Sequence, residues 1–148
     1  MPTNIDLNQL VAGAGDSIIV ADPQGAIVLW NKASERIFGF TEAEALGKSL
    51  DLIIPERQRQ RHWDGYDKTM ETAVTRYGTS LLKVPALHKE GRTLSIAFTV
   101  SLLQSPDGKV TGIVAFVRDE TERFAEDRKL RARLNEAEQM LKEKGVGS

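Results

Sequence analysis

Cysteine is absent from this 148-residue sequence, which excludes disulfides, thiolate nucleophiles, cysteine-bound zinc, iron–sulfur clusters and cysteinyl-flavin photochemistry together. Histidine is scarce. His62 and His88 are the only two, too few by themselves for a zinc site. Long hydrophobic runs are missing as well: neither the opening Met1-Pro2-Thr3-Asn4-Ile5-Asp6 nor any later window joins a basic segment to an extended apolar stretch. Secretion and membrane spanning therefore lack support, and a cytoplasmic location is the expectation. Charge of one sign is not in excess either, with 20 Lys and Arg against 21 Asp and Glu, which removes any bulk attraction toward nucleic acid or an anionic membrane. What is present, 41% hydrophobic and 28% charged residues, suits one globular domain with a short extension.

Apolar residues at Leu7, Leu10, Val11 and Ala14 predict a short helix that needs a partner to dock on. Ser17 to Asp22 and Ala26 to Trp30 read as two strands of a hairpin, joined by the Asp22-Pro23-Gln24-Gly25 turn. Asn31 to Phe38 reads as a brief helix ending at Gly39. Thr41 opens another with Glu44 at the capping-box position, closed by Gly47. The apolar run from Leu50 to Ile54 stops at Pro55. Arg57 to Thr72 then predicts a long helix, with His62, Tyr66 and Met70 spaced four apart on one face. Three strands follow: Ser80 to His88, Thr93 to Leu103, and Val110 to Arg118, with turns at Lys89–Arg92 and Pro106–Gly108. In the middle one Leu94, Ile96, Phe98, Val100 and Leu102 alternate with Ser95, Ala97, Thr99 and Ser101, giving a dry face and a much more polar one. The expected fold is α+β: a five-stranded antiparallel sheet with its helices gathered on the dry face. From Thr121 to about Lys144 the pattern changes. Seven acidic and seven basic residues lie between Glu120 and Lys144, and Leu130, Leu134, Ala137 and Leu141 recur at 4-3-4 spacing, predicting a charged helix with an apolar seam. The closing Gly145-Val146-Gly147-Ser148 reads as the end of that helix.

The order and spacing of several segments resemble a PAS domain of the bacterial sensory-box type, from about Leu7 to Arg123. They are the Asp22–Gly25 hairpin, Trp30-Asn31-Lys32-Ala33-Ser34-Glu35-Arg36-Ile37-Phe38-Gly39-Phe40, Glu44-Ala45-Leu46-Gly47-Lys48, Ile54-Pro55-Glu56, Lys89-Glu90-Gly91, and Phe116-Val117-Arg118-Asp119-Glu120-Thr121. The family's closing Asp-Ile-Thr is Asp119-Glu120-Thr121 here, with the same two polar residues available to bond main chain. The resemblance implies a PAS fold with flanking helices: residues 1–16 before the sensory domain, 17–119 the domain itself, and 120–148 a signalling helix. It also implies a sensing and dimerising module, with a homodimer and a downstream effector domain or partner protein as the expected associates. Asp119 and Thr121 are the expected signal relay.

For the interior, the resemblance singles out haem. In haem-binding PAS domains of oxygen sensors the iron is held by a helix histidine seven residues after the proline that precedes the helix, and Pro55 and His62 have that spacing. The count from His62 to Gly91 also matches without a gap. His62 is thus the candidate metal ligand, with Arg57, Arg59 and Arg61 near enough in sequence to neutralise propionates. On the far side, one such sensor carries an arginine at the position of Leu82 and another a methionine at the position of Ser80. Neither residue type stands here. Without a distal donor, carbon monoxide, nitric oxide or redox sensing fits better than oxygen sensing. Noncovalent flavin or a small organic ligand is the weaker candidate, held in a cavity lined by Tyr66, Leu82, Val84, Ile96, Phe98, Val100, Ile113 and Ala115. The plainer reading makes His62 a helix histidine bonded to Tyr66 or Asp64, and His88, beside a turn in a charged stretch, a solvated one.

No Gly-rich phosphate loop, nucleophile elbow, His-Glu-x-x-His or kinase signature set occurs in the sequence, so catalysis within this chain is not expected. Arg123 to Arg133 is balanced by neighbouring acids and lacks a helix-turn-helix companion, which argues against DNA binding. A ligand-sensing module and a ligand-free structural dimerisation module are the two competing readings. No output domain is visible, so the chain reads either as part of a larger sensor or as a free-standing PAS protein acting through a partner.

Overall fold

Asp22 closes the first turn. Its carboxylate accepts the N–H groups of Gln24 and Ala26, each at 2.9 Å, and Gly25 supplies the positive φ of +87° that the turn needs. From that turn β1 (Ser17–Ala21) and β2 (Ile27–Trp30) run antiparallel. The computed structural model describes residues 4–75 and 81–144; residues 1–3, 76–80, among them Ser80, and the tail 145–148 lie outside the described residues. The remaining elements are α1 (Leu7–Gly13), α2 (Lys32–Phe38), α3 (Glu42–Ala45), a 3-10 turn (Leu50–Ile53), α4 (Glu56–Thr72), β3 (Leu82–Leu87), β4 (Thr93–Gln104), β5 (Val110–Asp119) and α5 (Thr121–Glu143). The strands form one antiparallel sheet in the order β2-β1-β5-β4-β3.

Local signals fix the helix starts. Thr41 and Glu44 make the reciprocal capping box, and Ser49 caps the 3-10 turn through the N–H of Asp51. Asn31 does more than cap α2. Its Oδ1 accepts from the N–H of Ser34, the hydroxyl of Ser34 and the N–H of Ile18, while its Nδ2 donates to the carbonyls of Val11 and Asp16. One side chain thereby joins α1, the segment before β1, β1 itself and α2.

Directly opposed residues share a face of the sheet. The pairs Ile19–Ala115, Val100–Ala115, Phe98–Val117, Leu82–Phe98, Val84–Ile96 and Ala86–Leu94 therefore define one inner face. Against it pack Trp30, Phe38, Ala45 and Ile53. Trp30 and Phe38 are fully buried with ring centroids 5.5 Å apart, and the Trp30 indole N–H is satisfied by the Phe40 carbonyl at 2.9 Å. Burial of a side chain the size of Phe is worth about 1.5–3 kcal/mol, so this pair anchors the sheet to α2.

The more polar outer face also carries buried residues, since Ala97 is 2% and Val114 7% exposed there. One expectation needs correction. His88 is not solvated: it is 7% exposed, since the β3–β4 turn folds back over the end of α2. The Lys89 N–H bonds the Phe38 carbonyl at 2.8 Å, and Lys89 Nζ meets Glu44 at 2.5 Å. The His88 ring then lies so close to Gly39 that a Cβ there would stand 2.6 Å from Cε1, and Nδ1 accepts the N–H of Glu90 at 3.0 Å.

Candidate functional site

Pro55 stands before the first turn of α4 with φ −56° and Glu56 follows it, a pairing that suits a helix N-terminus. The helix presents Gln58, His62 and Tyr66 at four-residue spacing. Tyr66 is 5% exposed, the only fully buried residue of α4, and its hydroxyl donates to the Asp22 carbonyl at 2.5 Å. Burial first, then the acids Asp22 and Asp67, push its phenol well above the ordinary tyrosine range, so it is a neutral donor. One residue along from His62, the Trp63 indole N–H bonds Asp51 at 2.7 Å and its ring lies on Gly25 with no room for a Cβ. Arg59 donates to the carbonyls of Ile54 and Asp51, so it is engaged at the 3-10 turn, whereas Arg57 and Arg61 are exposed. Through Trp63 and Tyr66 the helix is latched to the β1–β2 turn.

His62 is half-buried, with its ring 4.6 Å from Trp63 edge-on and 5.6 Å from Tyr66. Burial holds its pKa below the usual histidine value, opposed by the charges of Asp51 and Asp67, so the neutral imidazole is favoured near pH 7. The expected bond to Tyr66 or Asp64 is not made. The Tyr66 hydroxyl goes to Asp22 and Asp64 accepts from Gln60, and His62 Nδ1 is buried with no hydrogen-bond partner among the described residues. Gln58 Oε1 is in the same condition. A buried polar atom left unpaired costs about 1–3 kcal/mol, so two of them on one helix face call for an explanation.

The register brings Leu82, Val84, Ile96, Phe98, Val100, Ile113 and Ala115 onto the inner face, though not into one environment. Ile96 belongs to the packed core and Phe98 and Ala115 pack against it. Leu82, Val100 and Ile113 are half-buried, and Val84, on edge strand β3, is 38% exposed. Two concavities lie on the outer face instead. One of about 750 Å3 is lined by Leu10, Ala14, Ile18 and Phe116, the other of about 200 Å3 by Leu81, Ala97, Thr99 and Arg118.

Asp119 and Thr121 form a junction with β4. Thr121 Oγ1 accepts the N–H of Ser95 at 3.0 Å and donates to Asp119 Oδ1, which also accepts the Thr121 N–H at 2.9 Å. The Glu120 N–H returns to the Ser95 carbonyl at 2.8 Å. Both main-chain groups of Ser95 are thus held by the start of α5. Beside them Arg118 pairs with Asp16 at 3.1 Å, an exposed contact largely screened by solvent. Ser95, Asp16 and Asn31 were not legible as site residues, because each acquires its role only through a strand or helix distant in sequence.

A family profile described as PAS fold matches residues 5–119. The chain belongs to the PAS family. This PAS domain is 32% identical over 127 residues to the sensor protein FixL of Bradyrhizobium diazoefficiens, covering 85% of this chain and 24% of that protein. It is 25% identical over 125 residues to the oxygen sensor protein DosP of Escherichia coli, covering 84% of this chain and 15% of that one. It therefore spans less than a quarter of either relative. Among solved structures, the PAS domain of a Colwellia psychrerythraea protein superposes with a TM-score of 0.69 at 22% identity, covering 78% of this chain and 95% of that one, which establishes the shared fold. The chain is accordingly a sensory, signal-transduction module of a family that is not typically catalytic. Among the described residues no helix is long and apolar enough to cross a membrane.

The residues present fit a haem on the α4 side. A neutral, half-buried imidazole on a latched helix is a competent iron ligand, and Arg57 and Arg61 are exposed cations on the same helix. The partner position at Leu82 offers no polar group.

Proposed function

We propose that this PAS domain senses a small ligand held between α4 and the inner face of the sheet, and relays its occupancy through Asp119 and Thr121 to α5 in a homodimer. Haem is the favoured ligand, with His62 as the iron ligand and Arg57 and Arg61 toward the propionates; noncovalent flavin or another small organic ligand is second. Bound haem would supply a site for a diatomic gas or for an electron. In this division residues 17–119 sense, 1–16 and 120–148 flank, and no chemistry is performed on a substrate. An effector domain or partner protein reads the output, in a cytoplasmic setting.

The observation that carries the reading is the Ser95 junction. Ser95 lies between Leu94 and Ile96, both buried in the core, and its N–H and C=O are bonded to the residues that begin α5. A displacement of the inner face is therefore transmitted to a helix of about 35 Å that has no buried residue of its own. Purified protein supplemented with haem should show an intense band at the blue edge of the visible spectrum, and His62→Ala should lose it. A band that persists in the variant moves the iron to another residue. Mass spectrometry of co-purified small molecules decides among the other ligands when no band forms.

Dimerisation rests on α5, where Leu130, Leu134 and Leu141 are all more than half exposed along one seam. Ending the chain at Asp119 should convert dimers to monomers by light scattering. Dimers that survive place the interface on the N-terminal helix or the outer face of the sheet, around Leu10, Ile18 and Phe116.

A further inference from the structure

We propose that Gln58 is the positioning residue of His62: its side-chain oxygen accepts the Nδ1–H of the imidazole, fixing the ring as the tautomer whose Nε2 lone pair is free. Two polar atoms on α4 are orphaned. Nδ1 of His62 and Oε1 of Gln58 are both shut off from solvent, and neither is bonded in the present rotamers. They belong to residues four apart on α4, the spacing that makes side chains neighbours on a helix surface. One is a donor when protonated and the other is purely an acceptor, so rotation of the Gln58 amide about its own torsions satisfies both.

The neighbouring side chains are engaged elsewhere through one atom each: Asp51 Oδ1 holds the Trp63 indole and faces Arg59, Asp64 Oδ1 takes Gln60, and the Tyr66 hydroxyl is donated to Asp22. Asp67 is exposed. Ring orientation is already constrained from the other side by Trp63 and Tyr66, so the single remaining choice is which nitrogen carries the proton. A metal-ligating histidine ordinarily donates its second N–H to a fixed acceptor, and on this helix Gln58 Oε1 is, among the described residues, the buried acceptor without a partner.

The inference rests on the ligand-sensing reading for its purpose but not for its test. In ligand-free protein, long-range proton–nitrogen NMR of the imidazole should report the Nδ1–H tautomer of His62. Gln58→Leu, which keeps the volume and removes the acceptor, should lower the ratio of Nδ1–H to Nε2–H forms by up to about tenfold, the worth of one such bond. Gln58→Glu should restore it. With ferric haem as the probe, Gln58→Leu should weaken binding by about 10–100-fold and Gln58→Glu should recover it. An unchanged tautomer in Gln58→Leu overturns the pairing whether or not haem binds. A tautomer that responds to Gln58 in a protein that takes up no haem upholds the pairing and ends the haem reading instead. Should Gln58→Leu fail to fold, Gln58→Met makes the same measurement.

Discussion

Replacing Asn31 with leucine should destabilise the domain by about 4 kcal/mol, a drop in Tm of roughly 10–15 °C for a chain of this size. The substitution keeps the volume and removes all five hydrogen bonds of the side chain. The main-chain N–H groups of Ile18 and Ser34 lose their acceptor, at about 1–3 kcal/mol each, and Ser34 is fully buried, so water cannot replace it. Asn31→Asp separates the two halves of the hub. It retains the acceptor for Ile18 and Ser34 and places a negative charge at the start of α2, which is favourable, but it cannot donate to the Val11 and Asp16 carbonyls. The expected loss is only about 1 kcal/mol, together with faster amide exchange confined to α1. Denaturant titration checks both variants, and an Asn31→Leu protein within 1 kcal/mol of the parent would show that α1 and α2 are held by packing instead.

What the sequence made legible was local. The Asp22–Gly25 turn, the Thr41–Glu44 capping box, the Pro55 boundary and the alternation of β4 each depend on residues within a few positions of one another, and each is present. The charged pattern after Thr121 likewise encodes α5 directly, since none of its residues is buried. What stayed hidden depends on long-range closure. His88 sits among charged neighbours and is buried because its turn folds back onto α2, where Gly39, far away in sequence, leaves room for the ring. Asn31 looks like any N-cap until α1 is placed beside it. Ala97 falls at a polar position of the alternation, yet it is covered on the outer face. Of the candidate site, His62 and the inner-face residues were legible from spacing and resemblance, but the unpaired state of Nδ1 and the split between packed Ile96 and half-buried Ile113 were not, because both depend on how α4 seats against the β1–β2 turn.

That seating can be tested at Gly25, where alanine should cost about 2–4 kcal/mol. Alanine in the left-handed region accounts for about 1–2 kcal/mol. The rest comes from Trp63, because a Cβ at Gly25 would stand 2.2–2.3 Å from the indole ring and the ring must leave. Its departure breaks the bond to Asp51, at about 0.5–1.5 kcal/mol, and exposes apolar surface that the turn had covered. The two contributions are separable by a double-mutant cycle. In a Trp63→Ala background Gly25→Ala should cost only its backbone strain, leaving a coupling of about 1–2 kcal/mol. Fluorescence gives an independent readout: Trp30, 1% exposed, is held in the core, so a red shift in Gly25→Ala reports Trp63 alone. The consequence reaches the site, because Trp63 is the edge-on neighbour of His62 and Tyr66 hangs from the same turn through Asp22. Loss of the latch should free the imidazole and weaken haem uptake in parallel with the red shift. Strictly additive stabilities, or full haem uptake with Trp63 displaced, would mean that α4 is held in place by something other than this turn.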